Sequence, residues 1–251
     1  MGAGATTKGW FSPGAWRRVA LSPSNIEILA SAESALGMLC LRQRELLSEP
    51  GTMVTEITLD HEFLMSSYST ASERSLARCA LDMNAGRGLK VLVGGLGLGY
   101  TAHEVLASDR VGRVEVVELL PPVIDWLDRG LVPLSDALKA DLRFAVNEGD
   151  VYRMLSMPPG RKYDLILVDV DHSPDERLGN ANDSFYSEDG LKLAKKHLTA
   201  GGVLGVWSYT ESSAFSEALR GVFSEVRIES VTFQNQLVGE EERDWLFFGR
   251  G

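Results

Sequence analysis

The sequence predicts an α/β protein: a Rossmann-like, mostly parallel sheet of about seven strands with helices on both faces, an antiparallel C-terminal hairpin, and a small β-domain ahead of it. Three observations carry this. From residue 89 onward, short apolar runs alternate with helix-period stretches, the pattern of a parallel sheet covered on both faces. The last two apolar runs, "EVRIESVTF" and "RDWLFFG", have no helix between them and so pair as an edge hairpin. Before residue 69 the apolar residues recur with period two.

The elements follow in order. "NIEILASA" and "GMLCLRQREL" read as strands joined by a turn at "ES". "MVTEITLD" sets Val54, Glu56 and Thr58 on one face against Thr55, Ile57 and Leu59 on the other, and "DH" turns into "EFLMSS". "TASERSLARCALDM" switches to helical spacing through Ala71, Leu76, Ala80, Leu81 and Met83, with Ser69 or Thr70 as N-cap and "NAGRG" as the stop. Then come strand "KVLVGG" and helix "GYTAHEVLAS", strand "RVEVVEL" and helix "PPVIDWLDRG", strand "LRFAV" and a short helix at "VYRML". Strand "DLILVD" with helix "FYSEDGLKLAKKHL", and strand "GGVLGVWS" with helix "ESSAFSEALRGVF", complete the alternation. The expected domains are a loosely ordered arm over 1–23, the antiparallel β-domain over 24–68 and a nucleoside-binding catalytic domain over 69–251.

Composition narrows the function. A net charge of −10 argues against a nucleic-acid partner, which needs a basic face, and suits a cationic ligand. Cys40 and Cys79 have no metal-ligand spacing, so no metal is expected and a reducing cytoplasm fits. No apolar run reaches the roughly 18 residues of a membrane span, and "MGAGATTKGWFSPGAWRR" lacks the apolar stretch of a secretory signal. Trp10, Phe11 and Trp16 in that arm are expected to dock on an apolar surface.

"VLVGGLGLGYTA" is a buried strand, a glycine turn and a helix start. The Gly-Lys-Ser/Thr of a phosphate loop is absent, and Tyr100 stands where a dinucleotide fingerprint needs its last glycine. What is left is GxGxG at Gly95, Gly97 and Gly99, enclosing Leu98, the form used by folds that bind S-adenosylmethionine-type ligands. Glu118, with Leu119 after it, ends the next strand about twenty residues on, where an acid accepts from ribose hydroxyls. Asp150, followed by Val151, ends the third and is placed to accept from an adenine amino group. Gly95–Gly99, Glu118, Asp150 and Asp169 all fall at carboxyl ends of strands, where open α/β sheets bind their ligands.

"LILVDVDHSPDE" brings Asp169, Asp171 and His172 to the end of a core strand. An amine acceptor must lose its proton before it attacks a sulfonium-bound carbon, and a carboxylate both attracts the ammonium and takes the proton. Asp169 is the candidate for that role, with Asp171 or His172 holding the acceptor's far end or helping move the proton. From Asp164 to Asp189, Arg177 is the only lysine or arginine, so this segment favours cationic substrates. Trp126 and Trp207 are read chiefly as core, and Tyr209 and Glu211 as acceptor contacts.

These blocks resemble the spermidine synthase family of polyamine aminopropyltransferases, within the class I S-adenosylmethionine-dependent methyltransferase-like fold. "VLVGGLGLGYTAHEVL", "VEVVELLPPVIDW", "NEGDVYRML", "YDLILVDVDHSP" and "FYSEDGLKLAKKHLTAGGVLGVW" carry the likeness in the family's order, and "EITLDHEFLMSS" resembles its N-terminal hairpin. The resemblance implies a decarboxylated S-adenosylmethionine donor, a small amine acceptor, a role in polyamine biosynthesis and a homodimer through the N-terminal β-domain. It implies Asp169 as the catalytic aspartate, Glu118 as the ribose acid and Asp150 as the adenine-side acid. It also marks departures. Leu98 stands where the family has an aspartate that helps hold the donor's ammonium. The family's hairpin glutamine falls near Leu64, and its Tyr-His pair near Ala71 and Ser72. Two further readings stay open: a methyltransferase using ordinary S-adenosylmethionine, with Val93 in place of the acid that usually opens its glycine motif, and a non-catalytic nucleoside-binding dimer.

Overall fold

A computed structural model describes residues 26–170, 173–174, 185–235 and 240–251. Strands β1 (Ile26–Ser34), β2 (Gly37–Glu45), β3 (Met53–Leu59) and β4 (Glu62–Ser66) form an antiparallel sheet in chain order. The first turn lies at Ala35–Leu36 rather than at "ES", because Glu33 and Ser34 still pair with Met38 and Gly37. Asp60 and His61 turn β3 into β4 at φ of 47° and 71°, the left-handed pair that a two-residue hairpin requires.

Alternation in β3 predicts one wet face, yet Val54 through Thr58 are all buried. Arg42 and Arg44 explain it: they reach across from β2 to the two oxygens of Glu56 at 2.8 and 2.7 Å, so its carboxylate is buried as a paired group.

The larger sheet has the order β10-β11-β9-β8-β5-β6-β7, built from β5 (Leu89–Gly94), β6 (Val111–Glu118), β7 (Phe144–Glu148), β8 (Tyr163–Val168), β9 (Leu198–Ser208), β10 (Glu225–Asn235) and β11 (Glu240–Arg250). β5 to β9 run parallel, and the β10–β11 hairpin closes one edge antiparallel to β9. This is the sheet the sequence predicts. Helices α1 (Ala71–Asp82), α2 (Tyr100–Leu106), α3 (Pro121–Asp128) and α4 (Ser135–Ala140) cover one face; α5 (Val151–Ser156), α6 (Glu188–Lys196) and α7 (Ser213–Val222) cover the other. Helix α4 is not foreseen from sequence, since its six residues are too few to show a period. Thr70 is the N-cap residue of α1 but makes no capping hydrogen bond with its side chain.

Alternation divides the core strands between two clusters. Val91, Val93, Leu165 and Leu167 pack under α1 to α3 together with Leu39, Leu41 and Ile57 of the small sheet. Leu92, Ile166 and Val168 pack under α5 to α7 against Phe185, Tyr186, Phe215 and Phe247. The small sheet is thus seated on the α1–α4 side, with Met65 of β4 brought against the loop after β5.

Candidate active site

The loop after β5 is stitched to its neighbours at the carboxyl ends of the strands. Gly95 donates its N–H to Val117 O at 2.9 Å, and the Asp169 N–H donates to Gly94 O at 2.8 Å. Gly95 has φ +95°, and a Cβ there would run into the backbone carbonyl oxygen of Asp169. Glycine is therefore the residue that lets β5 turn this close to the end of β8. Gly97, at φ +51°, lies under the Met65 side chain, and Gly99 is the left-handed N-cap of α2.

Leu98 is 1% exposed and packs in the core, so only its backbone is left to face a ligand. Glu118 is buried and accepts from Leu96 N at 2.7 Å on one oxygen and from Leu120 N at 2.8 Å on the other. Burial raises its pKa, with backbone N–H groups pulling the other way. The Gly97 and Leu119 N–H groups also act on this carboxylate, so a ribose hydroxyl would share lone pairs already turned toward the loop. Leu119 is half exposed beside it, a free apolar surface for a flat ring. Asp150 ends β7 and caps α5, its Oδ1 accepting from Tyr152 N and Arg153 N at 2.9 and 3.1 Å. Val151 is buried against Gly94.

Asp169 follows β8 and accepts a short hydrogen bond on Oδ2 from the Thr101 hydroxyl of α2. The same hydroxyl lies 3.3 Å from the backbone carbonyl of Glu73. Burial pushes Asp169 up to about 6, against the pull of Thr101.

Two further acids, absent from the sequence expectations, face this strand end. Glu73 sits in the first turn of α1, accepts from the Ser72 hydroxyl at 3.2 Å, and is pushed up to about 8 by burial and then by the charge of Asp169. Asp244 is 7% exposed within β11, one residue before that strand begins to pair with β9. Burial carries it up to about 6, with Ser72 and Trp207 pulling it down and Glu242 and Asp169 pushing it up. The Trp207 indole N–H is buried and directed toward the Asp244 carboxylate, the group whose charge it stabilises. Asp244 had a signal in "ERDWLFFG": β11 runs antiparallel to β9, Trp245 pairs with Ser208, and an acid just before that pairing therefore lies at the carboxyl end of the parallel strands. Among the described residues these acids form no group that could hold a metal ion.

Asp171 and His172 lie outside the described residues, as do the arm over 1–23 and most of the acidic segment around Arg177. Trp126 is core, at 1% exposure. Trp207 ends β9 with its ring 6.4 Å from that of exposed Tyr209. A cleft of about 390 Å³ opens between the small sheet and the start of α4, bordered by Gln43, Thr55, Ser67, Tyr100 and Asp136, and none of the acids above lines it. Among the described residues no helix is long and apolar enough to cross a membrane.

No protein-family model matches the sequence. The chain is 33% identical over 119 residues to polyamine aminopropyltransferase 2 of Streptomyces coelicolor, which is 47% of this chain and 21% of that protein. It is 30% identical over 118 residues to the polyamine aminopropyltransferase of Oceanobacillus iheyensis, 46% of this chain and 22% of that one. Either match thus spans about a fifth of the relative's length. In fold it resembles a spermidine synthase solved with the transition-state analogue AdoDATO, at TM-score 0.70 and 18% identity over 89% of this chain and 73% of the other. The spermidine synthase of Thermotoga maritima gives TM-score 0.68 at 16% identity, over 89% and 72%. The chain is therefore spermidine synthase-like: akin to polyamine aminopropyltransferases in sequence over nearly half its length, and to spermidine synthases in fold over most of it.

Proposed function

We propose that the protein transfers an aminopropyl group from decarboxylated S-adenosylmethionine to a small amine. The observation that carries this reading is the position of Asp169 at the end of β8, its backbone bonded to Gly94 and its side chain to Thr101, with Glu73 near enough to feel its charge. The donor's ribose falls to Glu118, its adenine to the Leu119–Asp150 edge, and its sulfonium carbon to Asp169. The acceptor's ammonium gives its proton to the Asp169 carboxylate. The freed nitrogen lone pair then forms the C–N bond as the C–S bond breaks, and that electron pair returns to sulfur as the neutral thioether 5′-methylthioadenosine. Most of the acceleration would come from holding nitrogen, carbon and sulfur in line.

Leu98 favours a second reading, since the loop offers no acid of its own to the donor's ammonium. On that reading the donor is ordinary S-adenosylmethionine and the product S-adenosylhomocysteine. Incubation of the protein with each donor and a panel of di- and triamines, with the thioether identified by mass, separates the two. Methylthioadenosine supports aminopropyl transfer, and S-adenosylhomocysteine or no thioether refutes it. Self-association through the small sheet belongs to the same proposal. Its support is β1, an edge strand with Ile28, Leu36 and Met38 exposed around its hairpin. Free Cys40 and Cys79 suit a reducing cytoplasm as the setting.

A further inference from the structure

We infer that the outer half of the β10–β11 hairpin is a strap that closes on α1 beside the end of β8 when the site is filled. The hairpin pairs without a break from Glu225–Arg250 to Asn235–Glu240. Its support from the sheet stops half-way. β11 pairs with β9 only from Trp245–Ser208 to Arg250–Val203, and β10 is the edge of the sheet. The last five pairs, Val231–Asp244 through Asn235–Glu240, therefore stand out past β9 as a ribbon about 17 Å long at roughly 3.4 Å per residue. A ribbon of two strands has little stability of its own, and its opening is governed by what it packs against.

The root of the ribbon is anchored. Leu246, Phe247 and Phe248, just inside it, are wholly buried. Val231 packs with the core under α1. Asp244, its pair across the ribbon, meets Ser72 of α1 and Trp207 of β9, whose side chains both stabilise its carboxylate. Further out the packing gives way. Phe233 lies two residues along the same face and is part of neither core cluster. It borders a cleft of about 390 Å³ with Tyr68, Ala71, Arg74, Ser75 and Arg78 of the β4–α1 connection and α1.

The α1 wall of this cleft is fixed. Arg74 is bound to Glu104 at 2.9 Å and to the Thr70 hydroxyl at 3.1 Å, and lies over the Tyr100 ring. Arg78 is bound to the same Glu104 at 2.6 Å, and the Tyr68 hydroxyl donates to Glu49 at 2.7 Å. The wall free to move is the ribbon. Bending inward, it seats the Phe233 ring against Ala71 and the arginine stems and takes apolar surface of both out of water. The root couples this movement to the site, because Asp244 feels the charge of Asp169. A molecule held at the end of β8 thus adjoins the residue on which the ribbon turns, and closure shields it from water.

The strap rests on geometry alone; the ligands chosen to close it rest on the aminopropyl-transfer reading. The test is amide hydrogen exchange of the full chain, free and with 5′-methylthioadenosine and 1,4-diaminobutane, whose binding is followed by calorimetry. In the free protein, residues 240–244 should exchange about a hundredfold faster than 245–250. With the ligands bound, exchange over 231–235 and 240–244 should slow by about tenfold or more, while that of α7 stays the same. S75W, which fills the cleft, should lose this slowing. A second measurement needs no ligand. F233C/S75C, in a chain also carrying C40S and C79S, should form a disulfide under mild oxidation, which requires the two Cα atoms to come within about 7 Å. If the ligands bind and exchange over the ribbon is unchanged, or if the slowing persists in S75W, the inference is overturned and the transferase reading is untouched. If neither ligand binds, that reading falls and the disulfide decides the strap: its formation upholds closure, and its failure overturns it.

Discussion

Thr101 hydrogen-bonds Asp169, and through that one contact α2 opposes the effect of burial on the acid at the end of β8. The bond stabilises the ionised carboxylate and so lowers the Asp169 pKa, against burial, which raises it. Removing the hydroxyl leaves burial alone.

Thr101→Val should therefore shift the acid limb of kcat/KM to higher pH, with little change at pH 9, where Asp169 is ionised in either protein. Asp169→Asn should lower kcat by about 10²–10⁴ while changing donor affinity far less. A pH–rate profile with donor calorimetry checks both. Equal losses in kcat and donor affinity would make Asp169 a binding group rather than the proton acceptor.

The acid cluster also predicts how stability depends on pH. Asp169 and Asp244 are raised to about 6 and Glu73 to about 8, so between pH 4 and 8 the folded chain holds protons that the unfolded chain has lost. Stability from these groups is fully present below their unfolded values and falls as pH rises through 6 toward 8. Glu104, lowered by Arg78 and Arg74, and Glu115, lowered by the Tyr163 hydroxyl and then by Arg113 and Arg161, act oppositely, but only as pH falls toward 4 and below. The melting temperature of the free protein should thus drop by on the order of 5 °C between pH 5.5 and 8.5. E73Q should flatten that slope. A melting temperature that rises steadily across this range would contradict the assignment.

What the sequence made legible follows from local pattern. β5, β8 and the edge hairpin declare themselves by unbroken apolar runs, and the glycines by a turn with few alternatives. Glu118 and Asp150 were visible as acids at strand ends, though not their bonds to Leu96, Leu120 and the first turn of α5, because an acid's backbone partners are set by tertiary approach. Glu73 stayed hidden for a similar reason. An acid in a helix's first turn is ordinary, and only the packing of α1 against β8 and β11 makes it part of a site. Glu56 was read as half of an alternating surface because Arg42 and Arg44 lie on a different strand.

That buried triad gives a prediction for the small sheet. Glu56→Gln removes the charge that offsets Arg44, which is 3% exposed. Stranding a buried guanidinium should cost about 3–5 kcal/mol, read as a lower urea midpoint with an unchanged slope. Arg42 is the more exposed partner, 24% against 4% for Arg44, so Arg42→Gln should cost clearly less. Similar losses from the two arginines would mean that burial does not decide their weight.

The last prediction compares two glycines of the loop. Gly95 and Gly97 both have positive φ, so alanine at either pays about 1–2 kcal/mol in backbone strain. What the new Cβ meets differs. At Gly95 it is the carbonyl oxygen of Asp169, fixed between β5 and β8; at Gly97 it is the end of the Met65 side chain. A methionine turns aside at low cost, whereas the Asp169 backbone cannot move without breaking its bond to Gly94. G95A should therefore lose both stability and turnover, and no side-chain change should restore them. G97A should lose mainly stability, and the double variant M65A/G97A should recover the steric share of that loss, leaving only backbone strain. Chemical denaturation of the four variants closes this cycle. If M65A gives G97A nothing back, Met65 is not what confines the loop.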